Sequence, residues 1–208
     1  MTLSNTSNWR KQSATWRENN AEKIKPLKMG RFDFVKTKNS DYKRNEDSYE
    51  TFNNKNNKKL SRSKIRCGGL IFNNDFTKIV LVKNKYLETE SGERKWGAPK
   101  GHIKGREDFV ECAEREIWEE CGLKIRINRD IPKKQFRNTM YYPIRLEYEY
   151  PVKCNDKGEI SKAQWVSLDI VEELNINREL RDALTVANIV KYKKMSAEGK
   201  CKVFGVHF

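Results

Sequence analysis

Three glutamates in the middle of the chain have a spacing that could bind a divalent cation. Glu119 and Glu120 follow Glu116 by three and four residues, and residues at these separations lie on one face of an α-helix. Like charges so placed destabilise a helix by roughly 0.2–0.5 kcal/mol per pair. Hard cations such as Mg²⁺ or Mn²⁺ take carboxylate oxygens together with waters and substrate phosphates. We call Glu116, Glu119 and Glu120 the glutamate row. One interpretation of this row is therefore a site where such a cation binds a phosphate.

A solvated acidic face is the alternative interpretation of the same glutamates. Arg115 stands four residues from both Glu111 and Glu119. Ion pairs at that separation would offset part of the repulsion without any cation. The spacing alone leaves both interpretations open.

The row needs a helix with defined ends, and the flanking residues predict one. Asp108 with Glu111 three positions later resembles a capping box, which predicts a helix start near Asp108. Gly122 is a typical residue just beyond a helix end. The stripe expected to face the core consists of Val110, Ala113, Ile117 and Cys121.

The segments around this helix predict a mixed sheet covered by two helices. Two short strands are expected in IRCGGLIF and KIVLVKNKY, and further strands in KIRIN, QFRNTMYYPIRLEYEY and KAQWVSL. A last helix is predicted over roughly Arg178 to Met195, with an apolar face and lysines at its C-terminal end. That face comprises Leu180, Leu184, Ala187 and Val190.

The composition predicts one folded core with a basic arm in front of it. Residues 1–60 contain fourteen Lys or Arg and seven Asp or Glu, a net charge of +7, and are rich in Asn and Lys. Such a segment buries too little apolar surface to order itself, so we expect it to be partly disordered or to form short helices. The core is expected over residues 61–176, and a basic helix and tail packed on it over residues 177–208.

The net charge of +14 suits a polyanionic partner such as RNA. Five cysteines without a C-x-x-C pair favour a reducing compartment, and the polar N-terminus and lack of a long apolar run predict neither secretion nor membrane insertion. We expect a cytoplasmic protein, in the host cytoplasm if the source is a virus.

The segment from Gly101 to Leu123 resembles the motif of the Nudix hydrolases at every defined position. Gly101 is followed after five residues by Glu107 and after seven more by Arg115-Glu116-Ile117, then by Glu119-Glu120 and Gly122-Leu123. The resemblance implies a loop–helix–loop in an α/β/α sandwich with a mixed sheet. It also implies hydrolysis of a nucleoside diphosphate linked to another group.

Carried over to these positions, the resemblance implies Mg²⁺ or Mn²⁺ bound by the three glutamates of the row and by the Gly101 carbonyl. Arg115 would orient the carboxylates through an ion pair, and Glu107 would support the metal directly or through water. Glu116 and Arg115 thereby count as catalytic residues.

The flanks resemble the mRNA-decapping branch of this family, including its viral members. WGAPKGHI before the helix and GEISKAQWVSLDIVEEL after it carry this likeness. It implies that Glu159 is a further metal ligand or the general base, and that Lys100 contacts the phosphate chain. Tyr141 and Tyr142 are candidate surfaces for stacking on a methylated guanine, whereas Trp165 is expected to belong to the core.

The leading hypothesis from the sequence is mRNA decapping, which releases 7-methyl-GDP and leaves a 5′-monophosphate RNA. Hydrolysis of dinucleoside polyphosphates or diphosphoinositol polyphosphates is the alternative, because PKGH also resembles the diadenosine tetraphosphate hydrolases. A catalytically silent RNA-binding Nudix protein is a third hypothesis, which the intact glutamate row disfavours. The sequence identifies no protein activator.

Overall fold

The described part of the chain is one folded unit. It contains the segment from Gly101 to Leu123, which we call the glutamate segment. A computed structural model of the 208-residue chain describes residues 61–88, 94–155 and 158–207. The basic arm expected over residues 1–60 lies outside the described residues.

The strands and helices follow one another along the chain much as the sequence pattern predicts. The strands are β1 Arg66–Phe72, β2 Lys78–Glu88, β3 Arg94–Gly97, β4 Lys100–His102, β5 Lys124–Arg126, β6 Lys134–Phe136, β7 Thr139–Arg145, β8 Ile160–Ser167 and β9 Gly205–His207. The α-helices are α1 Phe109–Cys121, α2 Arg178–Ala183 and α3 Val186–Ala197, and short 3-10 helices span Arg62–Lys64 and Leu168–Glu173.

Seven of the strands form one mixed sheet. Its main path runs β3-β2-β1-β7-β6, while β4 also pairs with β1 and β8 pairs with β2. The β1–β7 pair is parallel and the other pairs are antiparallel. β5 and β9 form a separate two-stranded sheet. The mixed sheet predicted from the sequence is confirmed.

The large sheet is covered on both faces, which makes the fold an α/β/α sandwich. Alternate residues of β1 enter different cores: Cys67 and Ile71 pack with the buried side of α1, whereas Leu70 and Phe72 pack with the buried residues of α2 and α3. This alternation follows from the two-residue period of a strand. We call these two surfaces the α1 face and the α2 face of the sheet.

Helix α1 begins and ends where the sequence predicts. The Asp108 side chain accepts a hydrogen bond from the Glu111 amide, and the Glu111 side chain accepts one from the Asp108 amide. Gly122 caps the C-terminus in the left-handed conformation with φ 77°. All four residues of the predicted core stripe are buried. The helix that carries the glutamate row is therefore fixed at both ends and along its inner face.

The last predicted helix is wrong as a single element, because it is two helices. Asn177 caps α2 and Thr185 caps α3, each accepting a hydrogen bond from an amide three residues later. The restart at Thr185 rotates the apolar face, so that Leu180 is buried while Val190 is 61% exposed. No helix in the described ranges combines the length and the apolar character needed to cross a lipid bilayer.

We predict that Gly122→Ala destabilises the protein more than Gly199→Ala does. Both glycines have a left-handed backbone, with φ 77° and 76°, but only at Gly122 would a Cβ meet backbone, 2.6 Å from the Lys153 carbonyl oxygen. In urea unfolding, Gly199→Ala should lose about 1 kcal/mol and Gly122→Ala roughly 2–4 kcal/mol. Equal losses for the two variants would show that the contact of Gly122 with Lys153 does not constrain the helix end.

Candidate active site

The site forms where the N-terminal part of the glutamate segment crosses the face of α1. Gly101 lies in the short strand β4, and a Cβ added to it would overlap the three terminal atoms of the Glu116 side chain. Only glycine therefore lets the Glu116 carboxylate lie directly against this strand. Glu116 is 6% exposed as a result.

Arg115 ties this segment together through one guanidinium group. Its Nε and Nη2 donate to the two carboxylate oxygens of Glu107 at 2.6 and 2.9 Å. Its Nη1 donates to Glu116 and, at 2.9 Å, to Glu119 Oε2, and its Nη2 also donates to the His102 carbonyl at 2.9 Å. The expected ion pair is present, and it reaches three carboxylates.

The carboxylates of Glu107, Glu116 and Glu120 differ in the direction in which the protein shifts their pKa. Hydrogen bonds from Arg115 hold the pKa of Glu107 below its ordinary value, because they favour the charged form. Burial raises the pKa of Glu116 even beside Arg115, and burial raises the pKa of Glu120 to about 8. For Glu116 and Glu120, the loss of solvation on burial thus outweighs the positive charge that Arg115 and Lys100 supply.

Lys100 connects the carboxylates with the other face of the sheet. Its backbone N–H donates to Glu120 Oε2 at 2.8 Å. Its side chain lies on the α2 face, since a Cβ added to the paired Gly68 would be 2.6 Å from Lys100 Cβ. Burial lowers the pKa of the Lys100 ammonium. Lys100 therefore contacts the glutamate row through its main chain, and its ammonium group lies within electrostatic range of Glu120 and Glu179.

Glu159 lies at the edge of this arrangement rather than within it. It is exposed in the turn before β8, and its backbone carbonyl accepts a hydrogen bond from Lys85 N at 2.8 Å. Its negative charge contributes to the raised pKa of Glu120, which places the two carboxylates within electrostatic range. A carboxylate in this position can exchange protons with solvent.

Two of the predicted substrate contacts are wrong. Tyr141 and Tyr142 are 0% and 3% exposed, so neither ring can stack on a guanine. Both lie in β7, an inner strand of the sheet, where Tyr142 faces α1 and Tyr141 faces α2. Trp165 packs against the core, and its Nε1 donates to the Tyr150 carbonyl at 2.8 Å. The expectation for Trp165 is consistent with this placement.

The five glutamates expected around a metal do not form one closed cage. Within the described ranges no three His, Cys, Asp or Glu side chains converge closely enough to hold a metal ion by themselves. Both oxygens of Glu107 are taken by Arg115, and one also accepts the Lys104 amide at 3.0 Å. In this arrangement Glu107 holds Arg115, which is a positioning role.

The buried carboxylates nevertheless fit Mg²⁺ or Mn²⁺. Magnesium is usually held by one or two carboxylates together with waters and substrate phosphates, and not by an all-protein cage. Glu116 and Glu120 supply hard oxygen donors in a place that lacks positive charge, and Gly101 leaves room beside them. Sequence reasoning missed Cys112, whose thiol lies 3.6 Å from the Gly101 carbonyl oxygen; Cys112 lies outside the predicted core stripe of α1, and nothing in its spacing indicated this contact.

The comparisons with known proteins agree with the fold and with this segment. The model of the NUDIX domain matches residues 63–186, and the chain belongs to the Nudix family. The phosphatases NudJ of Escherichia coli K12 and Shigella flexneri are each 33% identical over 125 residues, which cover 55% of this chain and 79% of theirs.

Similar solved structures include a Caenorhabditis elegans Ap4A hydrolase, with a TM-score of 0.46, 19% identity and coverage of 64% of this chain and 98% of that one. A MutT protein from Methanosarcina mazei has a TM-score of 0.44, 20% identity and coverage of 64% and 94%. The expected resemblance to the mRNA-decapping branch gains no support from the family model or from the NudJ phosphatases.

We predict that Arg115→Lys destabilises the protein, because one ammonium cannot reach the partners that the guanidinium fork holds. In urea unfolding with EDTA present, the loss should be about 1–3 kcal/mol. Arg126→Lys is the matched control: Arg126 pairs with Glu114 but is 77% exposed, so its loss should stay within about 0.5 kcal/mol. Equal losses would contradict the role assigned to Arg115.

Proposed function

We propose that the protein is a divalent-metal-dependent pyrophosphohydrolase that acts on small nucleotides, such as nucleoside diphosphate derivatives or dinucleoside polyphosphates. The observation that carries the proposal is the pair of buried carboxylates, Glu116 and Glu120, held beside Gly101 with insufficient positive charge around them. Membership of the Nudix family and the likeness to phosphatase NudJ support it.

In the proposed mechanism Glu116 and Glu120 would hold the metal through their carboxylate oxygens, with the Gly101 carbonyl and Glu119 as further donors. When bound, Mg²⁺ or Mn²⁺ neutralises phosphate oxygens and lowers the pKa of water, so that the water can attack phosphorus. Arg115 keeps Glu116 and Glu119 from turning away, because its Nη1 donates to both. The Lys100 ammonium adds positive charge for the phosphate chain.

Glu159 is our candidate for the general base. It belongs to neither α1 nor the guanidinium network, and it is exposed within electrostatic range of Glu120. A carboxylate oxygen of Glu159 would take the proton of the attacking water and release it to solvent. Glu120 is less suited to this task, since a bound cation favours its ionised form and reduces its basicity.

Decapping of mRNA is the second candidate, and the charge of the chain favours it. A net charge of +14 is suited to a long polyanion, but half of that excess lies in residues 1–60, outside the described residues. The burial of Tyr141 and Tyr142 removes the aromatic surfaces expected to hold the cap. We therefore rank small nucleotides first and capped RNA second.

Product analysis separates these candidates. The protein is incubated with Mn²⁺ and, in separate reactions, a nucleoside diphosphate, diadenosine tetraphosphate or cap-labelled RNA. We expect kcat/KM for one of the two nucleotides to exceed that for capped RNA by about ten-fold or more. A larger kcat/KM for capped RNA, with labelled 7-methyl-GDP as product, would reverse our ranking.

Glu120→Gln tests the metal assignment in the same assay. Loss of this charged ligand should reduce kcat/KM by roughly 100-fold or more. Glu114→Gln is the matched control on the same helix; Glu114 pairs with Arg126 and accepts the Ile127 amide, so its kcat/KM should stay within about two-fold. Normal turnover by Glu120→Gln would remove Glu120 from the site.

A further inference from the structure

We propose that Lys83 and Lys162, which flank the ring of Trp96, form an anion subsite for the phosphates of the substrate that lie beyond the hydrolysed linkage. This inference rests on the proposed function, since it assigns a part of the same nucleotide substrate. The family motif includes none of these three residues.

The register of three neighbouring strands brings these side chains together. Lys83 in β2 lies opposite Lys162 in β8 on one side and opposite Trp96 in β3 on the other. Strands are about 4.8 Å apart, and directly opposite residues project from the same face. The Lys83 and Lys162 ammonium groups lie 5.5 and 6.0 Å from the centre of the Trp96 ring. Two cations therefore converge on one indole.

This convergence is unfavourable without an anion. Like charges directly opposite one another in a sheet repel, and both lysines must share the cation–π attraction of the one Trp96 ring. Within the described residues neither lysine has a carboxylate at ion-pair distance, whereas Lys78 pairs with Glu149 and Lys200 with Glu198. A bound polyanion would relieve the repulsion between Lys83 and Lys162.

The pair of lysines is connected to the active site by a short chain of contacts. Trp96 is fixed by backbone hydrogen bonds from its N–H to the Asn175 carbonyl and from the Asn177 N–H to its own carbonyl, at 2.9 and 2.8 Å. The next residue is Gly97, where a Cβ would lie 3.7 Å from Lys100 Nζ. Lys100 in turn donates its amide to Glu120. Trp96 and the Lys100 side chain both lie on the α2 face, so phosphates bound at the Lys100 ammonium could extend toward these two lysines.

The chemistry of the subsite favours phosphate over a nucleobase. Trp96 is only 7% exposed, so it offers no open face on which a base could stack. Two ammonium groups provide charge and freely rotating N–H donors, which suit a phosphate chain of no fixed orientation. The subsite should therefore discriminate among substrates by the number of phosphates.

Calorimetric binding of inorganic tripolyphosphate, in buffer with EDTA, tests the subsite without using activity. We expect the double variant Lys83→Gln/Lys162→Gln to bind tripolyphosphate about ten-fold more weakly than the unmodified protein. The matched control is Lys124→Gln, because Lys124 Nζ lies 5.8 Å from the centre of the Trp118 ring. This control should bind tripolyphosphate within about two-fold of the unmodified protein.

Kinetics then test the link to the substrate. The double variant should raise KM for diadenosine tetraphosphate by about ten-fold while leaving kcat, and KM for a nucleoside diphosphate, within about two-fold. The single variants Lys83→Gln and Lys162→Gln should each show part of the effect, and they serve if the double variant unfolds.

The outcomes separate the subsite from the proposed function. Unchanged tripolyphosphate binding by the double variant overturns the subsite, whether or not nucleotides are hydrolysed. Unchanged tripolyphosphate binding with weakened binding of a short uncapped RNA also overturns it, and assigns these lysines to nucleic acid. Weakened tripolyphosphate binding in a protein that hydrolyses neither nucleotide supports the subsite and removes the proposed function.

Discussion

The arrangement of the whole site depends on how buried negative charge is balanced between α1 and the loop before it. Arg115 places one guanidinium among the carboxylates of Glu107, Glu116 and Glu119, and this contact fixes the loop before the helix to the helix itself. The balance is incomplete, because Glu116 and Glu120 retain raised pKa values. A divalent cation can supply the positive charge that these two carboxylates still lack.

The sheet places groups that can bind the substrate on both of its faces. Strand β4 pairs with β1, and its residues alternate between faces, so Gly101 meets Glu116 on the α1 face while the Lys100 side chain projects onto the α2 face. The carboxylates and the cations are thereby separated by the thickness of a single strand. A substrate at this edge can contact acidic groups through metal on one side and ammonium groups on the other.

Residues that are close in sequence predict the parts of this structure that depend on short-range interactions. The capping box, the C-terminal glycine and the apolar stripe of α1 depend on residues at most four positions apart, and the structure has all of them. Burial in β7 depends on neighbouring elements, so the sequence does not distinguish a tyrosine such as Tyr142 in an inner strand from one at a surface. The meeting of Lys83 with Lys162 likewise requires the β2–β8 register, which residues so distant in sequence do not reveal. The break at Thr185 was missed because an N-cap inside an apolar pattern resembles one turn of a continuous helix.

The most direct test of the central claim is a measurement of Mn²⁺ affinity by electron paramagnetic resonance. The measurement compares the unmodified protein with the Gly101→Ala variant, which has a Cβ at this position. If the Glu116 carboxylate must lie against this glycine to hold the metal, Gly101→Ala should weaken Mn²⁺ binding by about ten-fold or more. Gly105→Ala, four residues later in open space, should leave it within about two-fold. Unchanged Mn²⁺ affinity in a folded Gly101→Ala protein would contradict the account.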